Sequence, residues 1–165
     1  MKLNHDELMF FNKCAKEVLS LEQVQSMSKY AQHGKTNCLE HSIAVAYYSF
    51  LICRRWKLDR GYRSLIRGAL LHDFFLYDWR DLENGRMLHG FTHPADALKN
   101  ANLYFKLNEV ERDIIAKHMW PMTIKLPKYR LALIVSVVDK VCATMEFFHS
   151  RRIPRSYKNM ILAGD

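Results

Sequence analysis

The chain predicts an all-α fold, and three features of its sequence carry that reading. Apolar residues recur at helical spacing in almost every segment, and no stretch of strict apolar and polar alternation is long enough for a half-buried strand. Two Asn-x-x-Glu signatures, at Asn37 and Asn108, mark helix starts of the capping-box kind. At 165 residues a single domain spanning 1–165 is expected, long enough to bury about two-thirds of the surface of its unfolded chain.

A first helix is expected from about Asp6 to Leu19 and a second over roughly Leu21 to Tyr30. The polar segment Gln32-His33-Gly34-Lys35-Thr36 then breaks the pattern. Asn37, with Glu40 three residues on, opens a long helix through Trp56 whose apolar side is Ile43, Ala44, Val45, Tyr48 and Ile52. Asp59 can cap the next helix, which ends near Asp73. From Phe74 to Thr92 the periodicity lapses, a long connection of the kind that often carries function. Pro94 suits the first turn of a further helix, where a missing N–H costs nothing. Asn108 and Glu111 open another, which stops near His118 ahead of Pro121, and Pro127 begins the last, to about Ser150. The tail 151–165 starts with Arg151-Arg152-Ile153-Pro154-Arg155 and is expected to be a basic, exposed extension.

Composition excludes several classes. Hydrophobic residues at 49%, with 6 Gly and 4 Pro, do not fit a disordered or collagen-like chain. The longest clean apolar run, Leu131 to Val138, is far short of the roughly 20 residues that cross a bilayer, so no membrane partner is expected. The first residues, Met1-Lys2-Leu3-Asn4-His5-Asp6-Glu7, have no signal-like apolar core, and a cytoplasmic location is the expectation. Cys14, Cys38, Cys53 and Cys142 form no Cys-x-x-Cys pair and read as reduced thiols. The net charge of +8 suits phosphates, nucleic acid or acidic surfaces without choosing among them.

The residues that carry chemistry are polar ones at apolar helical positions. Asp139 follows Leu131-Ala132-Leu133-Ile134-Val135-Ser136-Val137-Val138, and its neighbours at helical spacing are Ala132, Val135, Cys142 and Ala143. An ionised carboxylate buried alone costs several kcal/mol, so Asp139 needs a cation, a proton or a metal. His41 lies on the stripe of Ala44, Val45, Tyr48 and Ile52, and the pair His72-Asp73 follows Leu65, Ile66, Ala69, Leu70 and Leu71. Two imidazoles and two carboxylates converging from three helices form a nitrogen and oxygen set suited to Fe, Mn, Zn or another divalent metal.

In this order and setting the residues resemble the motif of a known family. The sequence resembles the HD superfamily of metal-dependent phosphohydrolases, whose motif of a His, an adjacent His-Asp about thirty residues later and a distant Asp is matched by His41, His72-Asp73 and Asp139. The flanking Glu40-His41-Ser42-Ile43-Ala44, Ala69-Leu70-Leu71-His72-Asp73 and Val137-Val138-Asp139-Lys140 agree with it, and the likeness runs from about residue 33 to 148. It implies a helical bundle of about six to seven helices and one or two divalent transition metals, Fe or Mn first, with Zn, Ni, Co or Mg also compatible. Many members hold a second metal, bridged by the Asp of the His-Asp pair. His93, which precedes Pro94, and His118, which ends a helix, match the further ligands of those members, and His89 is a competitor to His93.

The implied activity is hydrolysis of a phosphate ester or anhydride, with Asp73 the central catalytic residue and metal lowering the pKa of water. His33, Lys35, Arg80, Lys117 and Lys140 are candidate phosphate contacts, and Tyr77, Trp79 and Trp120 could stack on a base. A nucleotide or related small phosphorylated compound is the expected partner, and nucleic acid is less favoured. A Gly-Tyr-Pro motif is absent, which disfavours cyclic di-GMP cleavage, and Leu76 stands where several members place Lys or Glu. Two other readings fit the same residues: a di-iron oxygenase of HD type, and a binding module with a structural metal.

Overall fold

The computed structural model describes residues 2–32, 36–58, 60–80 and 89–149. Within them there are seven α-helices and no strand. In chain order they are α1 (His5–Leu19), α2 (Glu22–Gln25), α3 (Cys38–Trp56), α4 (Tyr62–Leu71), α5 (His89–Tyr104), α6 (Glu109–Lys117) and α7 (Arg130–His149). The all-α expectation therefore holds, and no helix among the described residues is long and apolar enough to cross a membrane.

Local chemistry explains most of the boundaries. Asn4 caps α1 in a full capping box with Glu7, and Asn108 does the same for α6 with Glu111. The Asn37 side chain accepts from the Glu40 amide at the start of α3. Such caps contribute about 1 kcal/mol each. The expected second helix divides: after α2 the chain tightens into a 3₁₀ turn at Ser26–Lys29, which packs Met27 into the core.

Three expectations need correction. Helix α4 starts from Gly61 without a side-chain cap, and Asp59 lies outside the described residues. Helix α5 begins at His89, so Pro94 sits in its second turn rather than its first. One missing donor so near a helix start forfeits a single intrahelical bond, which tertiary packing can offset. Helix α7 begins at Arg130, three residues after Pro127, because a carboxylate on α6 intervenes. Asp113 Oδ2 accepts the amides of Lys128 and Tyr129 at 2.7 and 2.9 Å, fixing the chain just before α7.

Helix α3 packs against α4, α7 and the 3₁₀ turn. Its burial runs almost all the way round, including Leu39, Ile43, Val45, Ala46, Phe50 and Leu51, whereas Tyr48, expected on the apolar side, is 37% exposed. Helices α4 and α6 meet at Gly68, where an added Cβ would lie 2.7 Å from Ile114 Cδ1 and 3.1 Å from its Cβ, so any side chain there requires buried Ile114 to shift. Beside that contact, buried Arg67 joins Glu111 of α6 at 2.7 Å and Glu17 of α1 at 3.2 Å. Ion pairing of this kind satisfies a guanidinium that could not be buried alone. All four cysteines are buried and free.

Candidate metal centre

The packing of α3, α4, α6 and α7 brings the polar positions of their inner faces together. His41 comes from α3, His72 and Asp73 from the end of α4, His118 from the end of α6 and Asp139 from α7; His93 joins them from α5. None of these six side chains belongs to a residue more than 6% exposed.

Two of the histidines are aimed by the ends of their own helices. His72 is the C-cap of α4 and His118 the C-cap of α6. Each Nδ1–H donates to a carbonyl three residues back, Ala69 O at 2.7 Å and Ile115 O at 2.9 Å. A carbonyl only accepts, so Nδ1 carries the proton and Nε2 faces the cluster. The terminal carbonyls of a helix need donors, and here the histidines supply them.

Asp73 stands between two sets of nitrogens. Its Oδ2 lies 3.2 Å from His72 Nε2 and 3.9 Å from His41 Nε2, and its Oδ1 lies 3.1 Å from His93 Nε2 and 3.4 Å from His118 Nε2. His93 and His118 bring their Nε2 atoms within 2.8 Å of each other. Asp139 Oδ1 is 2.9 Å from His41 Nε2 and 3.7 Å from His72 Nε2. Ligand atoms of His41, His72 and Asp139 lie within 4.8 Å of one another, as do those of His72, Asp73 and His118.

The electrostatics follow from burying so many groups together. Burial opposes a charge on His41, but the carboxylates of Asp139 and Glu146 outweigh it and raise the imidazole to about 9. His72 rises to about 10 against the same penalty, through Asp73 and Asp139. Burial would raise both carboxyls, yet cationic His72 and the ring nitrogens of His118 and His93 hold Asp73 well below the usual range. Hydrogen bonding to His41 and the charge of His72 do the same for Asp139. His118 is pushed down to about 4 by burial, with Asp73 opposing and the other histidines adding to it. His41 and His72 are thus drawn toward their charged forms and Asp73 and Asp139 toward theirs, a stabilisation that a bound divalent cation would also supply.

A direct fit test for such a cation comes from two atoms. His72 Nε2 and Asp73 Oδ1 are fully buried, and the polar atoms beside them, Asp73 Oδ2 at 3.2 Å and His93 Nε2 at 3.1 Å, meet them without hydrogen-bond geometry. Buried polar atoms are rarely left so, and a metal ion satisfies both a nitrogen lone pair and a carboxylate oxygen. Comparison with known proteins agrees: a family model described as HD domain matches residues 38–144, well over half of the chain. The chain belongs to the HD-domain family. Neither a curated protein nor a solved structure matches it. Membership places this HD domain in a superfamily of metal-dependent hydrolases, and its buried His and Asp groups are a set that could hold divalent metal.

The remaining candidate residues of the HD domain are placed less uniformly. Lys140 donates to Asp139 Oδ2 at 2.9 Å and to the His118 carbonyl, tying α7 to the end of α6. Arg80 pairs with Asp78 at 3.5 Å and Lys117 with Asp113 at 2.7 Å, carboxylates outside the cluster. Trp79 donates its indole N–H to Ala31 O, and Tyr77 reaches Asp96. His33 and Lys35 lie outside the described residues, as do the tail 151–165 and the side chain of His89.

Three participants were not singled out in the sequence. Glu146 accepts from His41 Nδ1 at 2.9 Å; its spacing of seven from Asp139, two helical turns, is the signal that could have shown it. Gln32 Nε2 donates to Asp73 Oδ2, and the buried Cys38 thiol donates to Gln32 Oε1 at 3.1 Å. Asn100 of α5 donates to the carbonyls of Phe74 and Phe75, holding the backbone that leaves the His-Asp pair. Nothing in the local pattern marks Gln32 or Asn100, whose partners are 41 and 26 residues away.

Proposed function

We propose that this HD domain is a phosphohydrolase that cleaves a phosphate ester or anhydride of a small phosphorylated compound, a nucleotide being the favoured class. The observation that carries the reading is Asp73, whose two oxygens face different histidine sets, His72 and His41 on one side and His93 and His118 on the other. In this reading His41, His72 and Asp139 would hold one ion, His93 and His118 a second, and Asp73 would bridge them. Metal bound there supplies Lewis acidity and a water acidic enough to lose its proton near neutral pH.

The protein's own share is positional. Helix ends fix His72 and His118 in one tautomer, and Gln32 steadies Asp73 from the half-buried edge of the cluster. Among the described residues, Lys140, with its side chain 31% exposed beside Asp139, is a cation placed to meet a phosphoryl oxygen. The net charge of +8 and the aromatic and basic residues Tyr77, Trp79 and Arg80 after the His-Asp pair favour an anionic, base-containing substrate.

The test is metal content of anaerobically purified protein, followed by phosphate release from a panel of nucleotides and simple phosphate esters with Mn or Fe. Wild type is expected to hold one or two ions and to release phosphate, and Asp73→Ala to lose both metal and turnover. Full activity in Asp73→Ala would sink the site assignment. Oxygen uptake without phosphate release would replace hydrolysis with oxygenation.

A further inference from the structure

Helix α7 meets the His41 ring at both of its nitrogens. Asp139 Oδ1 lies 2.9 Å from Nε2, and Glu146 Oε2 lies 2.9 Å from Nδ1. The two carboxylates stand seven residues apart, so about 10 Å of helix rise brackets one imidazole. Both residues are only 6% exposed. Their roles differ in direction. Nε2 looks toward Asp73 and His72, where the ligand atoms converge, while Nδ1 looks away from them toward the last turns of α7.

We infer that Glu146 is the positioning residue of His41, holding the ring with its proton on Nδ1 so that Nε2 is presented to metal as a donor. The inference rests on the reading of the cluster as a metal centre. A carboxylate only accepts, so the 2.9 Å contact places a proton on Nδ1; the equal contact of Asp139 at Nε2 is the one a metal would take over, because Asp139 itself belongs to the ligand set and Glu146 does not. Its negative charge also makes the ring a stronger donor through Nε2, as partners behind metal-bound histidines do elsewhere. His41 and Glu146 are 105 residues apart and meet because α7 packs against α3. The arrangement also explains a buried carboxylate near the end of α7, between exposed Met145 and Phe147, where a surface glutamate would otherwise be expected.

The test uses the full chain and Zn²⁺ as a diamagnetic probe. Zinc affinity is measured by competition with a chromophoric chelator for wild type, Glu146→Ala and Glu146→Gln, alongside the melting temperature of each metal-free protein. Glu146→Ala is expected to weaken zinc binding about 10- to 100-fold. Glu146→Gln nearly preserves shape but can also donate to Nδ1 and so favour the opposite tautomer; it is expected to weaken binding by a smaller factor. Nitrogen-15 NMR of zinc-loaded wild type should show His41 protonated at Nδ1, and the alanine variant should lose that single state. Should the alanine variant fail to fold, the glutamine variant decides.

Zinc affinity within about twofold of wild type in a folded variant, or metal on Nδ1 of wild-type His41, overturns the role. The outcomes separate from those of the hydrolase reading. Tight zinc binding that depends on Glu146, with no phosphate released from any substrate, removes the hydrolase and supports the positioning role. Turnover with affinity indifferent to Glu146 removes the positioning role alone.

Discussion

The start of α7 is held from outside the helix, which makes Asp113→Ala an informative substitution. Asp113 is 7% exposed; its Oδ2 takes two backbone amides, and its Oδ1 pairs with Lys117. Hydrogen bonds to a charged acceptor contribute about 1.5–3 kcal/mol each, and the freed amides of Lys128 and Tyr129 lie close enough to solvent to regain water. The lower end of that range applies to both, giving a loss of about 3 kcal/mol. The Lys117 pair is an i,i+4 contact with the lysine 26% exposed, so Lys117→Ala should cost only about 0.5 kcal/mol. With a urea slope of about 2 kcal/mol/M, the midpoint falls by about 1.5 M for Asp113→Ala and about 0.25 M for Lys117→Ala. Asp113→Asn, which keeps one acceptor oxygen, should fall between them. Equal small shifts for Asp113→Ala and Lys117→Ala would show that α7 is placed by its apolar packing and not by this carboxylate. Because α7 carries Asp139 and Glu146, zinc affinity should drop with stability in Asp113→Ala and stay unchanged in Lys117→Ala.

Two further outcomes are expected away from the cluster. Gly68→Ala should lower stability by about 1 kcal/mol in urea unfolding, since overpacking of about 2 kcal/mol against Ile114 exceeds the helix-propensity gain of about 1 kcal/mol. Equal or greater stability in the alanine variant would mean that α4 and α6 can separate freely. Glu7 is held below the usual carboxylate range: burial raises it, but the Asn4 amide, Arg54 and Arg55 outweigh burial. A folded value below the unfolded one contributes stability that is present above the unfolded pKa of about 4.3 and lost as pH falls through the folded value. Between about pH 5 and pH 3, wild type should therefore lose more stability than Glu7→Gln, read from urea midpoints at each pH.

How much of the site was legible depended on how each residue enters it. His41, His72, Asp73 and Asp139 could be found because each is a polar residue where helical periodicity demands an apolar one, and a buried charge needs a partner. Glu146 escaped because α7 is apolar on its outer side as well: Val137, Val141 and Met145 are about half exposed, so no clean stripe showed which face it shared. Gln32 lies in a polar turn where one more amide carries no signal, and its meaning comes from Asp73 on another element. Helix α5 starts five residues before Pro94, because the first-turn preference for proline is a tendency that tertiary packing overrides. The start of α7 differs from the proline signal because the preceding backbone at Lys128 and Tyr129 is fixed by Asp113, a carboxylate fifteen and sixteen residues upstream of them.

The sequence by itself determined the helical class, the caps at Asn37 and Asn108, and the order of a His, a His-Asp pair and a later Asp. These rest on local spacing, which a linear chain displays directly. Only the tertiary structure decided that Asp73 faces two histidine sets and that Glu146 stands behind His41. It also decided that Lys140 bridges Asp139 and the end of α6. Those relations are distances of a few ångströms between residues tens of positions apart, and they exist only once α3, α4, α5, α6 and α7 have buried their apolar faces against one another.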